Sequence, residues 1–400
     1  MAEKEAMSNT SDAPHPSADS TQELLNTVDE AIQAIAAGEM VIVVDDCDRE
    51  NEGDLIMAAS KATPEQIAFM VRHTSGILCT PVQRDLARRL NLIPMVADND
   101  APLQTAFTVS VDYRVGLTTG ISAQERTNTI RALANGNTSS DDFVRPGHIF
   151  PLVAREGGVL MRSGHTEAGV DLARLAGLPP VGVLAELVND DGEVKRLPEL
   201  LQFAEQHGLK IISIDDLIAY RQQRERLVNR EAEFEVDTQA GPARAIAYST
   251  PFDSVQHLAL VVGNVTAGGT VPVRIHRESI IHDVFASRET PNKDLISATL
   301  ERFKAEGRGV FLYLREGSAG VPAGALTKAA EEPGEDAQFG DGTSESEEAR
   351  VRYWREVGVG AQILRDIGLS SIKLLALRHL HYVGLEGFGI ELAHTELLLD

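Results

Sequence analysis

Two consecutive α/β domains of the α+β type, each a mixed β-sheet flanked by helices, are what this sequence predicts, and three observations lead there. Its 400 residues exceed the usual span of about 100 to 200 residues per domain. A composition of 43% hydrophobic and 24% charged residues supplies enough apolar side chains for two cores. Short apolar runs of strand length alternate along the chain with segments of helical periodicity.

In chain order, residues 1–20 are rich in Ser, Ala, Asp and Pro and lack apolar periodicity, so a disordered tail is expected. From Gln22 to Ala37, Leu25, Val28, Ile32 and Ile35 recur at helical spacing, Gly38 stops the helix, and Met40 to Val44 reads as a buried strand. Thr63, Pro64 and Gln66 are an N-cap, a first-turn proline and a capping-box partner for a helix reaching about His73. Leu197 to His207 reads as a helix closed by Gly208, Leu209 to Ile214 as a strand, and Asp215 to about Val228 as a charged helix. The segment Arg221 to Asp237 is dense in charge where that helix ends, so 229–242 reads as a linker with the boundary near Ala240, which assigns 21–228 to the first domain and 243–400 to the second. In the second domain Ala259 to Val262, Val271 to Ile275 and Val310 to Leu314 read as strands, and the acidic stretch at about 327–349 as a solvated insertion.

The formal net charge of -23 repels phosphate backbones and anionic lipid, so neither a nucleic-acid partner nor a membrane surface is expected. A small anionic substrate would then need a local positive site. The only cysteines are Cys47 and Cys79, which gives no disulfide framework and fits a reducing cytoplasm. No apolar run approaches the roughly 18 to 20 residues that span a bilayer.

The first chemical signal is DDCDRENEGD, which leaves the strand ending at Val44 with Asp45, Asp46, Asp48, Glu50, Glu52 and Asp54 packed around Arg49. Carboxylates at this density are relieved by a cation, by raised pKa values or by full exposure. A calcium EF-hand fails, because with Asp46 in first place the required Gly falls on Asn51 and the bidentate Glu on Met57. A loop that leaves a buried strand and returns at once to Leu55, Ile56 and Met57 is placed where α/β folds put ligand sites.

Two further stretches set histidine beside glycine: RPGHIFPL, with His148, and RSGHTEAGVDLARLAG, with His165. Arg162, Ser163 and Thr166 offer a cation and hydroxyl donors for phosphate oxygens, and Gly164 lets the backbone approach. A helix starting near Thr166 or Glu167 would add its N-terminal dipole. The two histidines, with Glu186 on the apolar stretch Val181 to Val188, supply the groups that metal ligation and proton transfer both need. In GLTTGISAQERTNTI, Ser122 and Glu125 form a capping box beside Arg126, and Thr118 and Thr119 precede it.

DDCDRENEGDLIMAA, TTGISAQERTNTI, RPGHIFPL and RSGHTEAGVDLARLAGL, in this order and spacing, resemble the signatures of 3,4-dihydroxy-2-butanone 4-phosphate synthase from about Thr27 to Arg221. Cys47, where the family often has an acidic residue, and Glu125, in place of an Asp, are small departures. The resemblance implies conversion of D-ribulose 5-phosphate to the four-carbon phosphate and formate, with magnesium or manganese, two ions per active site, in a homodimer. It implies Glu50 and His165 as metal ligands, and Arg49, Glu50, Asp54, Arg162, Ser163, Gly164, His165, Thr166 and Glu186 as substrate contacts. His148 and Glu186 match the family's catalytic positions.

From about Pro251 the chain is similar to GTP cyclohydrolase II, through VRIHRESIIHDVFASRE, FLYLREG and WREVGVGAQILRDIGL. That family holds zinc with three cysteines, and the matching positions here are Ser279, Glu289 and Pro291. Serine and proline do not replace lost thiolates, so no zinc and no GTP hydrolysis are expected. EGSAGVP also departs from the family's glycine-rich stretch, with the expected arginine missing near Ser318 and Ala319. The alternatives are a bifunctional enzyme and a second domain that serves as an assembly or regulatory module.

Overall fold

The computed structural model of the chain describes residues 24–45, 50–250, 253–278, 283, 295–315, 358–376 and 388–398. The expected tail 1–20, the acidic insertion 327–349, Arg49, and the positions Ser279, Glu289, Pro291, Ser318 and Ala319 lie outside the described residues.

The first domain runs α1 (Val28–Ala37), β1 (Val41–Val44), β2 (Gly53–Ala58), α2 (Pro64–His73), β3 (Cys79–Val82), α3 (Arg84–Arg89), β4 (Val111–Tyr113), α4 (Ala123–Leu133), β5 (Phe143–Val153), α5 (His165–Leu175), β6 (Gly182–Glu186), α6 (Leu197–His207), β7 (Lys210–Ser213) and α7 (Ile214–Arg224). Its sheet has the order β4-β5-β3-β6-β2-β1-β7 and mixes parallel and antiparallel pairs. Local chemistry sets the ends of these helices as expected. Thr63 and Gln66 form the reciprocal box with Pro64 in the first turn of α2, while Gly38 and Gly208 close α1 and α6 in the left-handed conformation. The α1 helix is shorter than its apolar periodicity, starting at a Thr27–Glu30 capping box.

The second domain contains β8 (Asn229–Thr238), β9 (Gly241–Thr250), β10 (Asp253–Val262), β11 (Val271–Arg277), α8 (Leu295–Glu306), β12 (Gly309–Leu314), α9 (Gly360–Ile367), β13 (Ser371–Ala376) and β14 (Glu391–Leu397). Its sheet, order β14-β13-β11-β12-β10-β9-β8, is also mixed. Here the structure corrects the sequence expectation. Residues 229–242 are not a linker: β8 pairs antiparallel with β9 from Asn229↔Ser249 to Thr238↔Gly241. As an edge strand exposed along almost its whole length, it needs no apolar face, so its charge does not reveal it. Leu227 and Val228 are already buried in the second core, which moves the boundary back to the end of α7.

The two domains are sewn together at that boundary. Gln362 on α9 accepts from Leu227 N at 2.6 Å and donates to the carbonyls of Gln222 and Glu225. Asp366 receives Arg226, Arg230 and the Tyr248 hydroxyl. No helix among the described residues is long and apolar enough to cross a membrane.

Candidate active site

Sheet register brings together residues far apart in sequence. Val43 pairs with Asp54, and Asp54 pairs with Glu186, so these three lie in one row across β1, β2 and β6. Leu184, Cys79 and Phe150 form a neighbouring row across β6, β3 and β5. Glu186 and His148 each lie two residues from that row, toward the same end of the sheet. Gly53 backs onto Leu200 of α6, and strand alternation turns Asp54 to the opposite face. That face is covered by α5, which packs against β2, β3 and β6.

The first residue of α5 is His165, with Gly164 as the N-cap. The His165 ring is 5% exposed, with Nε2 3.1 Å from the carbonyl of Val43 and Nδ1 3.3 Å from Glu50 Oε2. An Nε2–H donated to that carbonyl leaves the Nδ1 lone pair facing the acidic loop, the ring orientation that metal-binding histidines use. Asp45 shapes the loop by accepting from Glu50 N at 3.0 Å and Glu52 N at 3.1 Å. Arg196 ties its outer side by donating to the carbonyls of Glu50 and Asn51.

Ligand atoms of Asp45, Glu50 and His165, and of Glu52, Asp54 and His165, lie within 4.8 Å of one another. Electrostatics records the crowding. Burial, reinforced by Glu50, lifts Glu52 to about 7, and burial raises Asp54 well above the usual carboxylate range. Burial opposes charge on His165, but Asp54, Glu50 and Asp45 together push it up to about 9. Asp54 Oδ1 is buried with no hydrogen-bond partner among the described residues. A group of acids this close holds protons or exchanges them for a cation, and four carboxylates with one imidazole suit a hard divalent ion such as magnesium or manganese.

His148 on β5 is half of a dyad that sequence reasoning missed. Asp112 on β4, 3% exposed, accepts from the His148 backbone N at 2.9 Å and faces its ring Nδ1 across 2.7 Å. The turn at Gly120 (φ 87°) presses on both, since a Cβ there would lie 2.2 Å from Asp112 Oδ2 and 2.6 Å from His148 Nδ1. Asp112 lies 36 residues from His148, and nothing local marks it in the sequence. Ser75 was also missed: its Oγ donates to Glu186 Oε2 at 2.6 Å.

Ser163 and Thr166 are buried beside His165 at the start of α5. Arg162 Nη1 donates to Glu167 Oε2 at 2.8 Å and Nη2 to the carbonyl of Leu103 at 3.2 Å, so its guanidinium is held in place at the helix start. The expected cap of α4 is present in part: Glu125 N donates to Ser122 Oγ, and Glu125 Oε1 accepts from Thr118 N and Oγ1. In the second domain His276 Nε2 is 2.9 Å from Asp283 Oδ1, and the Tyr313 hydroxyl donates to Asp283 Oδ2 at 2.7 Å.

Comparison with known proteins is consistent with this geometry. Residues 29–220 match the family of 3,4-dihydroxy-2-butanone 4-phosphate synthase and residues 229–396 that of GTP cyclohydrolase II. The riboflavin biosynthesis protein RibBA of Bacillus velezensis is 46% identical over 375 residues, 92% of this chain and 92% of its own. The bifunctional riboflavin biosynthesis protein RIBA 1, chloroplastic, of Arabidopsis thaliana is 46% identical over 377 residues, 94% of this chain and 69% of its own. Among solved structures, RibBX, a two-domain 3,4-dihydroxy-2-butanone 4-phosphate synthase from A. baumannii, superposes with a TM-score of 0.73 at 37% identity, over 94% of this chain and 100% of that one.

Proposed function

The chain belongs to the riboflavin-biosynthesis family that joins a 3,4-dihydroxy-2-butanone 4-phosphate synthase domain to a GTP cyclohydrolase II domain, and on that premise we propose that its first domain converts D-ribulose 5-phosphate to 3,4-dihydroxy-2-butanone 4-phosphate and formate while its second domain hydrolyses no GTP. The observation that carries the first half is the acidic cluster converging on His165 at the start of α5, with a buried carboxylate oxygen on Asp54 that has no hydrogen-bond partner among the described residues.

Glu50 and His165 would hold magnesium or manganese, two ions per site, with Asp45, Glu52 and Asp54 close enough to share them. Bound there, the metal would polarise the substrate's carbonyl and hydroxyl oxygens. Arg49, Arg162, Ser163, Gly164 and Thr166 bind the pentulose phosphate, the last four beside the N-terminus of α5, where the helix dipole favours an anion. Asp112 fixes the His148 tautomer, presenting Nε2 for proton transfer, and Ser75 orients the Glu186 carboxylate for the same work. These groups move the protons of enolisation, loss of the carbon-1 hydroxyl, rearrangement and release of carbon 4 as formate. The water lost in the second step matches the water consumed in the last. The protein would act as a homodimer in the cytoplasm, with no nucleic-acid or membrane partner.

The deciding experiment incubates the protein with ribulose 5-phosphate and magnesium and measures formate. Formate release that is abolished by chelation and by Glu50→Gln supports the assignment, and release unchanged by either refutes it.

For the second domain, Ser279, Glu289 and Pro291 stand where the family's zinc cysteines would be. GTP hydrolysis is the rival reading, favoured by the name of the Arabidopsis thaliana relative. Opening of the GTP imidazole ring by protein supplied with zinc would establish it, and no turnover supports its loss.

A further inference from the structure

Directly before Arg162 the chain makes a short 3-10 turn, Gly158–Leu160, and this turn is built into both domains. Leu160, 2% exposed, belongs to one apolar cluster with Leu227, Val228, Ile246 and Ile363, and Met161 packs against the same cluster. That cluster is the main core of the second domain, so the side chains next to the phosphate-facing segment are anchored outside their own domain.

A polar chain reaches the same turn. Gln362 of the second domain bonds Leu227 N and the carbonyls of Gln222 and Glu225 at the end of α7. On α7, Arg221, 3% exposed, donates from Nη1 to the carbonyl of Gly157 and to Asp171 Oδ2, each at 2.7 Å. Asp171 Oδ2 in turn accepts from Val159 N at 2.8 Å. Gly158 (φ 63°) sits over that carboxylate, where a Cβ would lie 2.2 Å from Oδ2. The turn is therefore fixed from below by a buried ion pair and from the side by the second core.

We infer that the second domain, whatever its own chemistry, splints this turn and so pre-positions Arg162 to Thr166 for the substrate phosphate. Leu160 and Gln362 are the positioning residues through which it does so. The inference rests on the assignment of Arg162 to Thr166 as substrate contacts. A splint acts on the fraction of molecules with the turn in its binding-competent form, and the apparent dissociation constant is the intrinsic one divided by that fraction, so loosening the splint weakens binding and leaves turnover of the bound complex alone.

The test uses the full chain with Leu160→Ala, Leu160→Met, Gln362→Ala and, as control, Phe303→Leu. Phe303 is fully buried in the second domain but in a separate cluster with Val262, Phe311 and Leu375. Formate kinetics and amide hydrogen exchange of the peptide spanning 157–166 are measured for each. The splint predicts a KM for ribulose 5-phosphate raised about tenfold at nearly constant kcat, and faster exchange of that peptide, in Leu160→Ala and Gln362→Ala. Leu160→Met restores both, and Phe303→Leu moves neither. Equal effects in Phe303→Leu, or unchanged KM and exchange in Leu160→Ala and Gln362→Ala, overturn the splint. Absence of formate from the unsubstituted protein would refute the proposed activity instead, and the exchange data would still decide the splint.

Discussion

Replacing Asp112 with asparagine isolates the dyad that holds His148. The aspartate oxygens accept two donors, the His148 backbone N–H at 2.9 Å and the ring Nδ1–H at 2.7 Å. Asparagine offers one acceptor oxygen and one NH2 group to those two partners. With its oxygen on the backbone N–H, its NH2 meets Nδ1 and selects the tautomer protonated at Nε2, which turns the outward nitrogen from base to donor. General acid–base catalysis contributes about 10²- to 10⁴-fold, so kcat should fall by that amount while KM stays within about threefold, because no substrate contact is removed. The swap conserves volume, so the fold survives. The assay is steady-state formate release, with the ring tautomer read by nitrogen NMR. A kcat within about twofold of the unsubstituted protein would refute a catalytic role for the dyad.

Three further outcomes follow from the same geometry. Because Glu52 titrates at about 7 and His165 at about 9 when no cation is bound, magnesium binding at pH 7 should release about one to two protons per site and tighten as pH rises toward 9; calorimetric heats that do not depend on the buffer's ionisation enthalpy would contradict this. Arg221→Ala takes the closest cation from the Asp171 carboxylate, 3% exposed, leaving it Arg174 Nη2 at 3.6 Å and the Val159 N–H, and costs about 3 kcal/mol of stability; urea unfolding checks it, and a loss under about 1 kcal/mol would deny the pair its structural role. Gly120→Ala drives a methyl into Asp112 and His148 at a left-handed backbone position, costing about 1 to 3 kcal/mol in a thermal melt and lowering kcat; a variant with unchanged melting and kcat would show that the turn yields freely.

Much of this was legible in the sequence for physical reasons. Caps such as Thr63, Pro64 and Gln66 act within one helical turn, so they can be read locally. Glu50 and His165 lie 115 residues apart, yet each sits in a motif whose residue types announce its chemistry. Asp112 and Ser75 carry no such local pattern, because their partners come from strand pairing and from contacts 36 and 111 residues away. The strand Asn229–Thr238 was hidden for another reason: an exposed edge strand buries nothing, and its hydrogen bonds to β9 leave no trace in side-chain hydropathy. The Arg221–Asp171 pair was invisible because buried ion pairs use the same residues as solvated helix surfaces.

Titration of Mn2+ into the protein, followed by the resonance of the free ion, asks whether Glu50 and His165 grip one cation together. The geometry predicts saturable binding that weakens at least about tenfold in Glu50→Gln and again in His165→Ala. Affinity equal to that of the unsubstituted protein in both variants would contradict the site.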